Sequence, residues 1–317
     1  MHKEGKVRKQ SAIAYNIKAI WRTKILPRFI RRLQMRMLLS GWERRSDAGI
    51  IRHRLDYYCP ESASINPDPD ARAVSAVKLS QTHSCYWFDM MRYLRAFPKS
   101  LRISFIDGDT HENPDFYSIG KARRLDSKKG NVALMKLDSR RHFIKVEDNI
   151  PFRDKKGILF FRGDVDDKQN RIRFFEKWGS DPRFDIGDTS PRKQSEWMKP
   201  RVPVEEHFRY KYILALEGND VATAVQWICA SGCIPVMCRP TVESWFMHGL
   251  LQPGVHYIEI KPDFSDVAEK IEYYNAHPEE AESISRASRE WAAQFDDPRR
   301  ESIISYLVTK RYLRQAN

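Results

Sequence analysis

The chain has 317 residues, 41% of them hydrophobic and 12% aromatic, and a formal net charge of +13. That length allows about two domains, and the apolar fraction excludes an intrinsically disordered chain. The charge is uneven: residues 1–54 hold fifteen Lys/Arg against three Asp/Glu, so most of the excess lies in the first sixth.

The first predicted element is YNIKAIWRTKILPRFIRRLQMRMLL, Tyr15–Leu39. Ile17, Ile20, Trp21 and Ile25, then Phe29, Ile30, Leu33 and Met37, fall near helical spacing, and Pro27 kinks or divides the helix. A basic amphipathic helix of this kind suits an anionic membrane surface. Two alternatives stay open: a helix packed on its own protein with a solvated basic face, and a nucleic-acid arm.

The turn-rich DYYCPESASINPDPDARA (Asp56–Ala73) reads as a loop, and Ser84–Phe97 as a helix. LRISFIDGD (Leu101–Asp109) has the pattern of a buried strand meeting a functional loop. A turn is expected at Lys128–Gly130, with an extended run after it. From about Pro151 short apolar runs alternate with helical stretches: ILFFRG, RIRFFEKWG, YILALEG, VATAVQWICASG, CIPVMC, HYIEI and DVAEKIEYYNAH. Such alternation predicts α/β structure with a parallel sheet flanked by helices. Asp263 or Ser265 is the expected N-cap of one helix, and a further helix runs over Glu279–Phe295. These signals divide the chain into a basic arm (1–40), an N-terminal domain (41–150) and a C-terminal domain (151–317).

Cys59, Cys85, Cys229, Cys233 and Cys238 are odd in number, follow no signal-peptide pattern and complete no second pair at zinc spacing. They read as buried thiols in a reducing compartment. No apolar run approaches the roughly 18 residues of a membrane span, so a cytoplasmic chain, soluble or peripheral at a membrane, is expected.

Two strand-end loops draw the functional reading. In open α/β sheets ligands sit beyond the carboxyl ends of strands. In LALEGNDVATAVQW, Gly218 lets backbone approach a ligand, Asn219 and Asp220 suit the cap of the next helix, and Thr223 is near enough to help hold a phosphate. The alternative is an ordinary capped turn. In ILFFRGDVDDKQNRIRFF, Arg162, Arg171 and Arg173 suit a diphosphate, since a guanidinium can bind oxygens bidentately. A salt-bridged helix surface is the competing explanation. Asp164, Asp166 and Asp167 alternate as aspartates commonly do at turns, and no metal site is assigned.

FFRG followed by Arg, then YKYILALEG, a helix, a strand and PGVHYIEIKPDFSDV resemble glycosyltransferase family 90. The likeness runs from about Arg102 to Phe295. It implies a GT-B-like fold, two Rossmann-like domains facing a cleft, and an inverting transfer from a UDP-sugar with no catalytic metal and no cofactor. The resemblance places the general base on an Asp ahead of a Phe-x-x-x-Lys element; ISFIDGD before FYSIGK matches Asp109, with Asp107 as fallback, and Lys121 falls on the family's lysine. It assigns Arg162 and Arg171 to the diphosphate and Gly218, Asn219, Val221, Ala222 and Thr223 to the nucleotide loop. Glu243 and Trp245 become candidate donor contacts, with core packing the alternative for Trp245. Two departures stand out. The Arg162–Arg171 interval is one residue longer than in the animal enzymes, leaving Arg173 a rival. An Arg of the following helix is replaced near Gln226, which shifts phosphate contacts elsewhere, Lys211 being one choice.

The resulting expectation is a glycosyltransferase acting on a lipopolysaccharide core or another lipid-linked surface glycan at the cytoplasmic side of the inner membrane. The alternatives are a protein O-glycosyltransferase and a non-catalytic basic nucleic-acid-binding protein, the latter disfavoured by the localised charge.

Overall fold

A computed structural model of the chain describes residues 5–8, 11–61, 65–110, 113–126, 131–192 and 195–317. The turn expected at Lys128–Gly130 lies outside them. The chain forms two compact units. One comprises residues 1–9, 143–240 and 250–294; the other comprises 10–142, 241–249 and 295–317. The second unit thus takes in two segments from the sequence-defined C-terminal domain, and the change of character seen at Pro151 falls at Phe143.

The first unit is built on five strands: β1 (Lys156–Gly163), β2 (Asp185–Asp188), β3 (Tyr210–Leu214), β4 (Ile234–Met237) and β5 (Ile258–Glu259). Its longer helices are α1 (Gln169–Trp178), α2 (Val225–Ser231), α3 (Val267–Ala276) and α4 (Pro278–Ala293). All neighbouring strand pairs are parallel, in the order β5-β4-β3-β1-β2. β3 and β4 are almost wholly buried, as a parallel sheet covered on both faces requires. Leu159, Phe161, Leu214 and Val236 pack with Phe174 and Phe175 of α1 and with Ile271 and Ile284 of α3 and α4. This is the sheet the apolar runs predicted; β2 was not among them, because Asp185-Ile-Gly-Asp has one apolar side chain and lies at the sheet edge.

Strand order reverses between β1 and β3, so the topological switch point lies at their carboxyl ends. Both loops singled out in the sequence, after Arg162-Gly163 and after Leu214, leave the sheet there.

Two helix starts differ from expectation. Residues 219–224 form bends and a turn, and α2 begins at Val225 with Ala224 in the cap position, so neither Asn219 nor Asp220 caps it. The Gly218 amide donates to the Asp220 carbonyl at 3.2 Å, which closes the chain into a loop before a helix can start. α3 begins at Val267 with Asp266 at the cap position, because Asp263 accepts instead from the amide and hydroxyl of Ser265.

The second unit is mainly helical, with helices over Ala12–Ile20, Arg28–Leu39, Ala48–Tyr58, Ser84–Leu94 and Pro298–Ala316. Its described ladders are pairs of two- or three-residue strands: Arg72–Ala73 with Arg102–Ile103, Ser118–Gly120 with Val132–Leu134, and Ala122–Arg124 with Val242–Ser244. The expected Leu101–Asp109 strand is thus a short one, and its Asp107 end is exposed. The Pro298–Ala316 helix packs on three of the others and anchors buried polar groups. Arg54 and Glu301 pair at 2.5 Å, and the Tyr312 hydroxyl receives a bond from the Ser104 amide.

The basic arm is not one body. Lys6–Arg8 pairs antiparallel with Lys145–Glu147 in the first unit. Residues 11–39 pack within the second, where Pro27 divides two helices as expected.

Candidate active site

At the switch point the central side chain is Arg171, from the first turn of α1. Its guanidinium donates to the Asp164 carbonyl at 2.6 Å and to the Leu216 carbonyl at 3.0 Å, tying the two loops together. Its Nε is buried without a partner among the described residues, and burial lowers its pKa. Arg162 and other buried arginines share an unpartnered Nε, so it is the position of Arg171 that sets it apart. Gly218 lies against this group: a Cβ there would come within 3.3 Å of Arg171 Nη2 and 3.5 Å of Lys168 Cδ. Gly218 thus leaves room for the Arg171 guanidinium, which a Cβ would crowd, and its φ is not in the left-handed region.

Lys168, which the sequence did not single out, donates to Asp164 Oδ2 at 3.2 Å and to the Asp166 carbonyl at 2.9 Å. The loop is fixed from below by Ser190, whose hydroxyl donates to Asp164 and accepts from the amides of Val165 and Asp166. Asn219 is exposed, Val221 and Ala222 are buried and Thr223 is half-buried on the same loop.

Arg162 is not brought to Arg171. Successive strand residues face opposite sides of a sheet, and the cation of Arg162 lies over the Phe160 ring while that of Arg171 lies toward Phe161. Arg162 is paired with Asp185 at 2.7 Å, which also holds Lys199 and the Tyr210 hydroxyl. Arg173 turns to the Pro262 carbonyl, and Lys211 lies over Phe152. Of the candidate cations in this unit, Arg171 is the one at the switch point.

In the second unit Asp107 and Asp109 diverge. Gly108 between them has φ +93°, a conformation that glycine adopts without strain. Asp107 accepts from the His83 amide with both oxygens at 3.0 Å and pairs with the His83 ring at 2.9 Å, fixing the start of the Ser84–Leu94 helix. Asp109 instead collects Lys121, Arg141 at 2.9 Å and the Tyr86 hydroxyl at 2.7 Å. Burial alone would raise the Asp109 pKa. The Lys121 charge and hydrogen bond, with Tyr86 and Arg141, outweigh it and hold the carboxyl well below the usual range. Nearby, burial and the Lys121 charge keep His248 neutral, with its pKa lowered to about 3, and His142 is lowered for the same reasons with Arg141 added.

Asp109 and Lys121 were each named from the family pattern, and the structure adds that they pair. Tyr86 and Arg141 were not, since they arrive from elements 23 and 32 residues away from Asp109.

Glu243 and Trp245 belong to the second unit and are fully buried there. Glu243 is paired with Arg123 at 2.7 Å and accepts from the Tyr57 hydroxyl. Trp245 stacks on Tyr58 at 4.0 Å and donates from Nε1 to Glu301 at 2.6 Å. Trp245 is thus a core side chain, the alternative its sequence context allowed, and Glu243 is engaged internally.

Residues 129–309 match the family described as Glycosyl transferase family 90. O-glucosyltransferase LpsA of Dichelobacter nodosus is 39% identical over 233 residues, 73% of this chain and 73% of that protein. Protein O-glucosyltransferase 3 of Homo sapiens is 26% identical over 166 residues, 50% of this chain and 32% of that protein. Protein O-glucosyltransferase 2 of Danio rerio is 32% identical over 87 residues, 27% of this chain and 17% of that protein. This chain therefore spans about a third or less of the two animal relatives. The match takes in α1 with Arg171, the β3 loop with Gly218 and the whole five-stranded sheet: the chain belongs to glycosyltransferase family 90.

Proposed function

We propose that this glycosyltransferase moves a sugar from a UDP-sugar to a hydroxyl of a lipopolysaccharide core or related surface glycan, with inversion and without a catalytic metal. Arg171 carries the donor assignment: a buried guanidinium that ties the two strand-end loops together lies at the topological switch point, where α/β sheets bind nucleotides. Lys168 and the Gly218–Thr223 loop complete the donor site. The names of the bacterial and animal relatives, O-glucosyltransferases, favour glucose as the sugar.

The donor loops belong to the first unit and Asp109 to the second. Asp109 takes the proton of the acceptor hydroxyl, its oxygen attacks the anomeric carbon, and the bond from that carbon to the diphosphate breaks. UDP leaves with the bonding electron pair, its negative charge met by Arg171 and Lys168. Lys121 and Arg141 keep Asp109 ionised at neutral pH. The family match favours this enzyme over the nucleic-acid-binding alternative, and similarity to protein O-glucosyltransferase 3 supports a protein acceptor as the second reading.

Titration calorimetry of the whole protein with UDP in EDTA tests the donor site. Wild type is expected to bind, with Arg171→Ala weaker by about tenfold or more and Arg171→Lys intermediate. A folded wild type that does not bind UDP overturns the assignment. Transfer to lipopolysaccharide core as against a folded protein domain then separates the two acceptors.

A further inference from the structure

The helical segment from Ala12 to Leu39 buries one mixed face on the second unit, while a second row of large apolar side chains faces solvent. Tyr15 donates to Asp89 at 3.0 Å, Arg31 donates to the Arg92 carbonyl at 2.7 Å, and Arg95 donates to the Leu26 carbonyl at 2.9 Å. Tyr15, Ala19, Thr23, Leu26, Arg31 and Met35 are buried beneath. Above them every fourth residue from Ile13 to Met37 is a large apolar side chain between 48% and 72% exposed, Trp21, Phe29 and Leu33 among them.

Around a regular helix a row of every fourth residue drifts by about 40° per step. Here the wider π-helical turn Trp21–Ile25 and the break at Pro27 interrupt the drift, and the row stays at the surface throughout. Surface helices of soluble domains point such a stripe inward. An exposed row of this extent marks an interaction surface.

Charge identifies what covers it. Between Gly5 and Trp42 there are ten Lys/Arg and no Asp/Glu. Lys18, Lys24, Arg32 and Arg36 are exposed on the same segment. We propose that this face docks on an anionic lipid bilayer, the apolar row entering the headgroup–acyl boundary and the cations meeting lipid phosphates. Among the described residues no helix is long and apolar enough to cross a membrane, so docking is in the plane of the surface. The proposal concerns attachment and does not depend on the donor or acceptor chosen above.

Flotation of the whole protein with phosphatidylcholine vesicles, with and without phosphatidylglycerol, is the test. Binding is expected only with the anionic lipid and should weaken with salt. Phe29→Ser with Leu33→Ser should lower the partition coefficient about tenfold or more, because two exposed apolar side chains are lost from the buried face. UDP affinity and the circular dichroism of that variant should be unchanged. Lys18→Glu with Lys24→Glu should also release the protein. Absence of wild-type binding, or binding indifferent to Phe29 and Leu33, overturns the proposal. So does light scattering that shows a dimer without lipid, split by the same apolar substitutions, which would make a second copy the occupant.

Discussion

Asp109 is a carboxylate held between two cations and a tyrosine hydroxyl, and its chemistry follows from that company. Removing its charge with Asp109→Asn should lower transfer by about two to four orders of magnitude, the usual scale of general-base loss, while UDP binding is retained. Calorimetry beside a transfer assay separates the two effects. Because the folded pKa is depressed, the carboxylate stays ionised well below pH 4, and activity lost through its protonation falls only at still lower pH. Lys121→Met removes the main opposing charge and leaves burial, which raises the pKa. The acid limb of kcat/KM should therefore move to higher pH, and a limb that stays in place would remove Lys121 from this role. Asp107, bonded to the His83 amide and ring, should respond differently: Asp107→Asn is expected to affect stability more than the acid limb.

At the level of elements the proposed donor site is two strand-end loops joined by one guanidinium. Gly218→Ala would put a Cβ within 3.3 Å of Arg171 Nη2, the far end of a flexible side chain. The fold should tolerate this, and the guanidinium should shift. The expected cost to UDP affinity is on the order of 1 kcal/mol, about fivefold, with little change in melting temperature.

The strands themselves were legible in the sequence because ILFF, YILAL and IPVM are continuous apolar runs of the length a buried parallel strand needs. The edge strand β2 was hidden, since an edge half-covered by loops carries no such run. The helix start after Gly218 was misjudged because Asn-Asp is a cap signal wherever it occurs. Here the Gly218–Asp220 hydrogen bond bends the chain for six residues before α2. The outward face of the arm was beyond reach as well: the spacing of Ile17, Trp21, Phe29 and Leu33 predicts which residues share a side, and only the packing of Tyr15, Leu26 and Met35 says that it is the other side that is buried.

Over the whole molecule, buried titratable groups set the pH dependence of stability. His142 and His248 are held neutral, His248 by burial first and then by Lys121. Their folded pKa values lie below the unfolded value near 6.5, so the unfolded chain binds more protons as pH falls below about 6.5, and stability drops in that window. Each contributes a slope of up to about 1.4 kcal/mol per pH unit. Asp109 adds to the loss only below about pH 4, its unfolded value, because its depressed folded pKa acts in the same direction. His207, lowered to about 4 by burial, adds to the loss from the histidines, while Asp89, raised to about 6 by burial, opposes it below about pH 6. Thermal melts between about pH 7 and 6 should show the decline, and His248→Gln should flatten it relative to wild type. An unchanged slope in that variant would exclude His248 as a contributor.

The second unit draws its last helix, Pro298–Ala316, from beyond the end of the first. Domains commonly fold in the order in which they are synthesised. In this chain the order is crossed: the five-stranded sheet is complete while the unit begun earlier still lacks Glu301 for Arg54 and Tyr312 for Ser104. Until that helix arrives, the incomplete second unit carries both its own open core and the apolar row of Ile13–Met37. If that row docks on lipid as proposed, attachment can precede completion of the enzyme.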